Sequence, residues 1–221
     1  MELRFWLERW QQQLIGFHQE DINPYLQKYW LRPQQADSPS QAVLVPLCGK
    51  SKDMIWLRDQ GLEVIGVEVS PIAVESFFAE NGLDPTQHQL GEFKVYQVEG
   101  ITLYCGDFFK LDPKFFKHVA YVFDRGSLVA LPPELRTQYA SFLSDYLEIG
   151  ASCLLVAMEY EQSEMEGPPF SITVSELAQL YGGRFDIECL GEYDIYEENQ
   201  MFRERGLSQL YEKVYLLTKK R

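Results

Sequence analysis

The sequence predicts an α/β protein: a mostly parallel seven-stranded sheet with helices on both faces and an N-terminal helical lid. Two observations carry this. Short apolar runs suited to strands alternate with helix-length segments from residue 42 to residue 218. Ser-Pro, capping-box and glycine signals separate them at the spacing that strand–helix–strand units need, and right-handed crossovers make such strands parallel. The 221 residues fit a single domain. It divides into an aromatic arm (1–31), a linker (32–41) and an α/β core (42–221).

Trp6, Trp10, Leu14 and Phe17 fall on one helical stripe at spacings of 4, 4 and 3. That face needs an apolar surface to cover. Arg32–Gln41 is polar, holds two prolines and reads as the linker. Ala42–Leu47 is apolar throughout, as a strand buried on both faces requires. Ser51 is placed to cap a helix that ends before Gly61. Glu63–Val67 is the second strand. Ser70-Pro71 opens the next helix, and Gly82 stops it. Lys94–Cys105 reads as a hairpin around Gly100, and His118–Asp124 as another buried strand. Pro133 opens a helix carrying Leu135, Tyr139, Phe142, Leu143 and Tyr146 at helical spacing. Ala151–Ala157 is a strand. Thr173-Val174-Ser175-Glu176 is a capping box for a helix ending at Gly182. Arg184–Leu190 and Leu210–Thr218 close the chain as strands.

The formal net charge is −13, a field that repels nucleic acid and anionic membranes but leaves room for a local basic pocket. Cys48, Cys105, Cys153 and Cys189 form no CxxC pair, and the histidines are scattered, so no zinc site is expected. Buried free thiols in a reducing compartment are the expectation. MELRFWLERWQQQ lacks the apolar segment of a signal peptide, and the longest uncharged apolar stretch, Ile149–Met158, is too short for a bilayer. A cytoplasmic monomer without membrane or nucleic-acid partners is expected.

Sheets of this kind bind ligands at the carboxyl ends of their strands. The first strand ends in Pro46-Leu47-Cys48-Gly49-Lys50-Ser51. A phosphate loop would need glycine at position 44, which is leucine, and G-x-G-x-x-G is absent. Gly49 alone is equally a turn residue. The second strand ends in Glu68, 19 residues after Gly49, where an acid can accept hydrogen bonds from a ribose diol. A glycine turn without a pyrophosphate signature, paired with a ribose acid, suggests a nucleoside ligand lacking phosphates, and S-adenosylmethionine is the common cofactor of that description. The third strand ends in Asp107-Phe108-Phe109. An acid and a ring there can meet an adenine, or the rings can simply be core. The fourth ends in Asp124-Arg125-Gly126-Ser127, where an arginine suits a carboxylate.

The segments FWLERW, IGFHQ, PLCGKSKDM, GVEVSPIAVESFF, YCGDFF, DRGSL, GPPF and YEKVYLLT run in order from residue 5 to residue 218. In this set the chain resembles the thiopurine S-methyltransferase family, and without the long N-terminal extension of animal members it resembles the bacterial type. The resemblance implies a class I S-adenosylmethionine-dependent methyltransferase (Rossmann-like) fold. It implies S-methylation of small aromatic or heteroaromatic thiols, with selenium or tellurium compounds as alternative acceptors. It places Trp10, Leu47, Glu68, Asp107, Phe108 and Arg125 against the cofactor. Phe17, Arg203 and, besides its cofactor role, Arg125 are the acceptor-side candidates, with Arg205 the other candidate for the Arg203 role, and Gly167-Pro168-Pro169-Phe170 falls on a loop near the acceptor. No acid–base dyad or triad is visible, and no metal is implied. A nucleotide-dependent oxidoreductase and a non-catalytic binding protein are the rival readings.

Overall fold

A computed structural model describes residues 3–30 and 42–220; the linker expected at 32–41 lies outside the described residues. The elements are α1 (Leu3–Gln11), α2 (Pro24–Tyr29), β1 (Ala42–Pro46), α3 (Asp53–Asp59), β2 (Glu63–Glu68), α4 (Pro71–Glu80), β3 (Thr86–Leu90), β4 (Phe93–Val98), β5 (Ile101–Cys105), β6 (Val119–Arg125), α5 (Pro133–Tyr146), β7 (Ser152–Glu159), α6 (Val174–Tyr181), β8 (Phe185–Asp194), α7 (Gln200–Glu204) and β9 (Tyr211–Lys219). One sheet contains all the strands, in the order β3-β4-β5-β2-β1-β6-β7-β9-β8.

The five central strands, β5-β2-β1-β6-β7, are parallel. β9 runs antiparallel between β7 and β8. These seven strands match the number expected for the sheet, although the hairpin read at Lys94–Cys105 already implied an eighth strand, β4. The sheet has nine because β3 and β4 extend one edge as antiparallel strands. β4 is the first arm of the hairpin read around Gly100. β3 gives no strand signal because Thr86–Leu90 is exposed along its whole length and carries no apolar alternation.

Strand β1 is buried on both faces. Val43 and Val45 join one core with Leu26, Trp30, Met54, Leu57 and Phe77. Leu44 faces the other core with Phe108, Tyr139, Leu143, Ile172 and Leu177. So α2, α3 and α4 cover one face, and α5 and α6 the other. Gly66 in β2 makes the layers fit: a Cβ there would lie 2.3 Å from a Leu103 methyl and 2.9 Å from the Cys48 sulfur.

Several helix starts follow the sequence. Ser70 Oγ accepts from Ala73 N, with Pro71 next. Thr173 Oγ1 accepts from Glu176 N, but Glu176 does not reach back; its carboxylate is ion-paired with buried Arg136 at 2.7 Å. Ser51 sits one residue outside its expected place. Lys52 is the cap residue, and Ser51 Oγ accepts from Asp53 N and donates to Asp53 Oδ2.

The arm departs most. The helical stripe stops at Gln11, and Gln13 is left-handed with φ 57°. Leu14 therefore points to solvent. Phe17 meets Trp6 and Trp10 by a chain reversal, edge to face with centroids 5.6 and 5.7 Å away. Further on, Asn23 caps α2, and Leu26 and Trp30 enter the main core. Among the described residues no helix is long and apolar enough to cross a membrane.

Candidate functional site

The strand order reverses between β1 and β6, since β2 and β5 lie to one side of β1 and β6 and β7 to the other. Their carboxyl ends open a crevice there. It is pinned shut at its base by a 2.6 Å hydrogen bond from Ser127 Oγ to Pro46 O. Leu47 follows with φ 45°, a left-handed conformation that a leucine adopts at a cost of about 1–3 kcal/mol. Gly49 is left-handed too, and a Cβ there would lie 3.2 Å from the Trp10 ring, so glycine lets the ring pack close on the turn. Trp10, buried, thus covers the turn.

Glu68, buried at the end of β2, governs the same turn. Its Oε2 accepts from Gly49 N at 2.9 Å and its Oε1 from Ser70 N at 2.7 Å. Burial pushes the carboxyl up, while the N–H groups of Ser70, Gly49 and Val69 favour the charged form. The Gly49 amide is therefore engaged by a carboxylate. A pyrophosphate would need that amide and would face an acidic neighbour. This turn fits the uncharged diol of a nucleoside.

Asp107, after β5, accepts from Phe109 N and turns the chain into a short 3-10 segment. The Phe108 ring is buried against Phe109, Phe116, Tyr139 and Phe142. Its faces belong to the core, so packing of this ring on an adenine, one of the two readings above, does not match its position.

At the end of β6, Asp124 is fully buried and accepts from Tyr139 Oη at 2.7 Å and from the amides of Ser127 and Leu128 at 3.2 Å. This fixes the turn that carries Arg125. Arg125 Nη2 donates to Phe17 O at 2.9 Å, tying the arm to the crevice. Burial lowers its pKa, and the carboxylates of Asp53 and Glu212 favour its charge. Trp10, Leu47, Glu68, Arg125 and Phe17 are thus assembled around one edge.

The arginines of the final loop behave differently. Arg203 Nη1 donates to both the backbone and the carboxylate of Glu197, each at 2.8 Å. Arg205 lies 5.7 Å over the Phe202 ring. The residue of α7 that reaches the arm is Met201: a Cβ built on Gly16 would lie 3.9 Å from its sulfur. The sequence carried no signal for Met201. The loop at 167–170 is fastened at the same edge, by Phe170 N to Val129 O and by Tyr160 Oη to Pro169 O.

Cys48 and Cys105 are buried beside the site, and burial together with Glu68 raises both thiols, Cys105 to about 11. Neither is a thiolate nucleophile. Cys153 is buried as expected, whereas Cys189 on the edge strand β8 is exposed. Among the described residues no group of three or more His, Cys, Asp or Glu is placed to hold a metal.

His18 follows Phe17, and its buried Nε2 has no hydrogen-bond partner. The nearest carboxylate oxygen, of Glu20, is 3.8 Å away. Burial, Lys50 and Arg125 lower its pKa below 6.5, outweighing Glu20 and Glu80. A lowered folded value means that the neutral ring supports the docked arm above about pH 6.5, and that this support is lost as pH falls through the folded pKa. Amide protection at residues 9–18 is expected to fall on acidification from pH 7 toward about pH 5. His18→Gln is expected to flatten that dependence. Equal pH profiles in the two proteins would remove His18 from arm docking.

Known proteins resemble this chain in sequence and in fold. Residues 1–220 match the thiopurine S-methyltransferase family. A protein of Nitrosospira multiformis named thiopurine S-methyltransferase is 50% identical over 218 residues, covering 98% of each chain. Among solved structures, Burkholderia thailandensis 1,6-didemethyltoxoflavin-N1-methyltransferase, with bound S-adenosylhomocysteine, superposes with a TM-score of 0.64 at 14% identity, over 99% of this chain and 87% of that one. A SAM-dependent methyltransferase of Anabaena variabilis gives a TM-score of 0.64 at 13% identity, over 99% and 95%. At such identities the likeness is one of fold, the α/β methyltransferase fold. Matched by the family over residues 1–220 and by a relative 50% identical across nearly its whole length, the chain belongs to the thiopurine S-methyltransferase family.

Proposed function

We propose that this protein transfers a methyl group from S-adenosylmethionine to the sulfur of small aromatic thiols. The observation that carries the reading is the Glu68 carboxylate seated on the Gly49 amide, where a dinucleotide-binding protein would present phosphate donors. Glu68 would accept the ribose hydroxyls. The backbone of the Leu47–Gly49 turn would line the methionine moiety, and the backbone at Asp107-Phe108 the adenine. Arg125 would hold the carboxylate, exchanging or sharing its bond to Phe17 O. When bound, the cofactor supplies a methyl group already activated on a sulfonium.

The protein's own part is alignment and exclusion of water. The crevice residues fix where the acceptor sulfur must stand for in-line displacement. With the donor bound, the acceptor, its thiol proton already released to solvent, would gain the methyl group as a thioether, and S-adenosylhomocysteine would be left. Trp10 offers a ring face near the turn that favours a cation. The arm, held by Arg125 and by the Trp6–Trp10–Phe17 contacts, acts as the lid. Aromatic thiols ionise near neutral pH, so no strong base is required. Every group invoked comes from one chain, and the free cysteines suit a reducing, cytoplasmic setting.

Calorimetric titration separates this reading from an oxidoreductase: S-adenosylhomocysteine is expected to bind and NAD is not. Binding of NAD without S-adenosylhomocysteine would overturn it.

A further inference from the structure

We propose that Met201 is a specificity-determining residue for the acceptor, its thioether forming an apolar wall beside Phe17 against which an aromatic thiol lays its ring. This rests on the functional reading above and deepens its acceptor side.

The phase of α7 is fixed by Phe202, which is buried with Tyr160, Met165, Leu207 and Leu210. Met201, one residue earlier, is rotated out of that cluster and is 49% exposed. It is directed at the arm, where Gly16 has no side chain to block it and the Cβ position is 3.9 Å from the Met201 sulfur. The next residue, Phe17, is 39% exposed, and its carbonyl is held by Arg125. Leu14, 53% exposed, belongs to the same arm. Met201 and Phe17 thus leave apolar surface uncovered around Gly16, next to the arm's bond to Arg125, in a protein whose formal charge is −13. The two arginines near Met201 are engaged elsewhere, with Glu197 and with the Phe202 ring.

The chemistry suits a planar, polarisable ligand. A thioether on an unbranched side chain adapts to the edge of an aromatic ring and is attracted to it. Phe17 supplies a second aromatic surface that offset stacking can use. A small non-aromatic thiol would reach the same methyl group without touching this wall. Met201 therefore favours ring-bearing acceptors over small ones, and cofactor binding does not involve it.

The test compares kcat/KM for thiophenol and for 2-mercaptoethanol in the unaltered protein, Met201→Ala and Met201→Leu. Calorimetric Kd for S-adenosylhomocysteine is measured in each. Met201→Ala is expected to lower the thiophenol-to-mercaptoethanol ratio about three- to tenfold, through the thiophenol KM. Met201→Leu restores the apolar volume and is expected to recover at least half of that selectivity. The cofactor Kd stays constant across the series. A ratio unchanged within about twofold in Met201→Ala, or a cofactor Kd that moves in step with the acceptor KM, overturns the assignment while leaving the methyltransferase reading in place. Failure of the unaltered protein to methylate either thiol overturns the functional reading, and the role of Met201 with it.

Discussion

Replacing Glu68 by Gln is expected to weaken S-adenosylhomocysteine binding by roughly 30- to 1,000-fold, about 2–4 kcal/mol. The size follows from geometry. Both carboxylate oxygens already accept backbone N–H groups, Oε2 from Gly49 and Oε1 from Ser70. A glutamine offers one oxygen, so its NH2 must face one of those donors. The turn that carries Gly49 and the seat for the ribose hydroxyls are then lost together. Glu68→Asp keeps both acceptors but is one methylene short of spanning the two amides, and an intermediate loss is expected. Calorimetry on folded Glu68→Gln with a Kd within threefold of the unaltered protein would remove Glu68 from cofactor binding.

Asp124→Ala is expected to cost about 3–5 kcal/mol of folding stability, a large part of the total for a domain of this size. It orphans the fully buried Tyr139 hydroxyl and two backbone amides. Asp124→Asn should cost less. Its oxygen can still serve Ser127 N and Leu128 N, and it carries no charge to bury. Burial raises the Asp124 carboxyl above 3.8. For a raised acid, stability is fully present below the unfolded value and is lost as pH rises through the folded one, so the ionised carboxylate draws on stability at neutral pH. Urea unfolding checks both variants. An Asp124→Ala midpoint shift worth under about 1 kcal/mol, at an unchanged m-value, would show that Tyr139 and the turn find other partners.

The parts of this fold that could be read from the chain are those where local chemistry and burial agree. β1, β2, β6 and β7 are apolar because both their faces are covered, and Ser70-Pro71 starts its helix by a bond within three residues. Leu47, Glu68, Asp107 and Arg125 stand at the ends of such strands, so finding the strands found the positions. What could not be read depends on distant partners or on a missing signal. β3 is polar and pairs only through its backbone. The arm's stripe continues in sequence past Gln11, but the helix does not. Phe17 regains the stripe by turning back, and its carbonyl is claimed by Arg125, 108 residues away. Glu176 completes a capping-box pattern, yet its carboxylate serves Arg136, 40 residues earlier. Phe108 looks like a ligand-facing ring at a strand end, but α5 and the 3-10 segment at Pro113–His118 enclose it. Met201 has no motif, and only the folded arm brings Gly16 to it.

The most direct test supplies the unaltered protein with S-adenosylmethionine carrying an isotopically labelled methyl group, together with thiophenol, a purine thiol and hydrogen selenide in separate reactions. Mass spectrometry then locates the label. Methyl transfer to the chalcogen, giving the labelled thioether (or methylselenide) and S-adenosylhomocysteine in equal amounts, is the predicted result, with the aromatic thiols favoured over selenide. Label on nitrogen or oxygen of the acceptor, or no acceptor-dependent turnover in protein that binds S-adenosylhomocysteine, would contradict it.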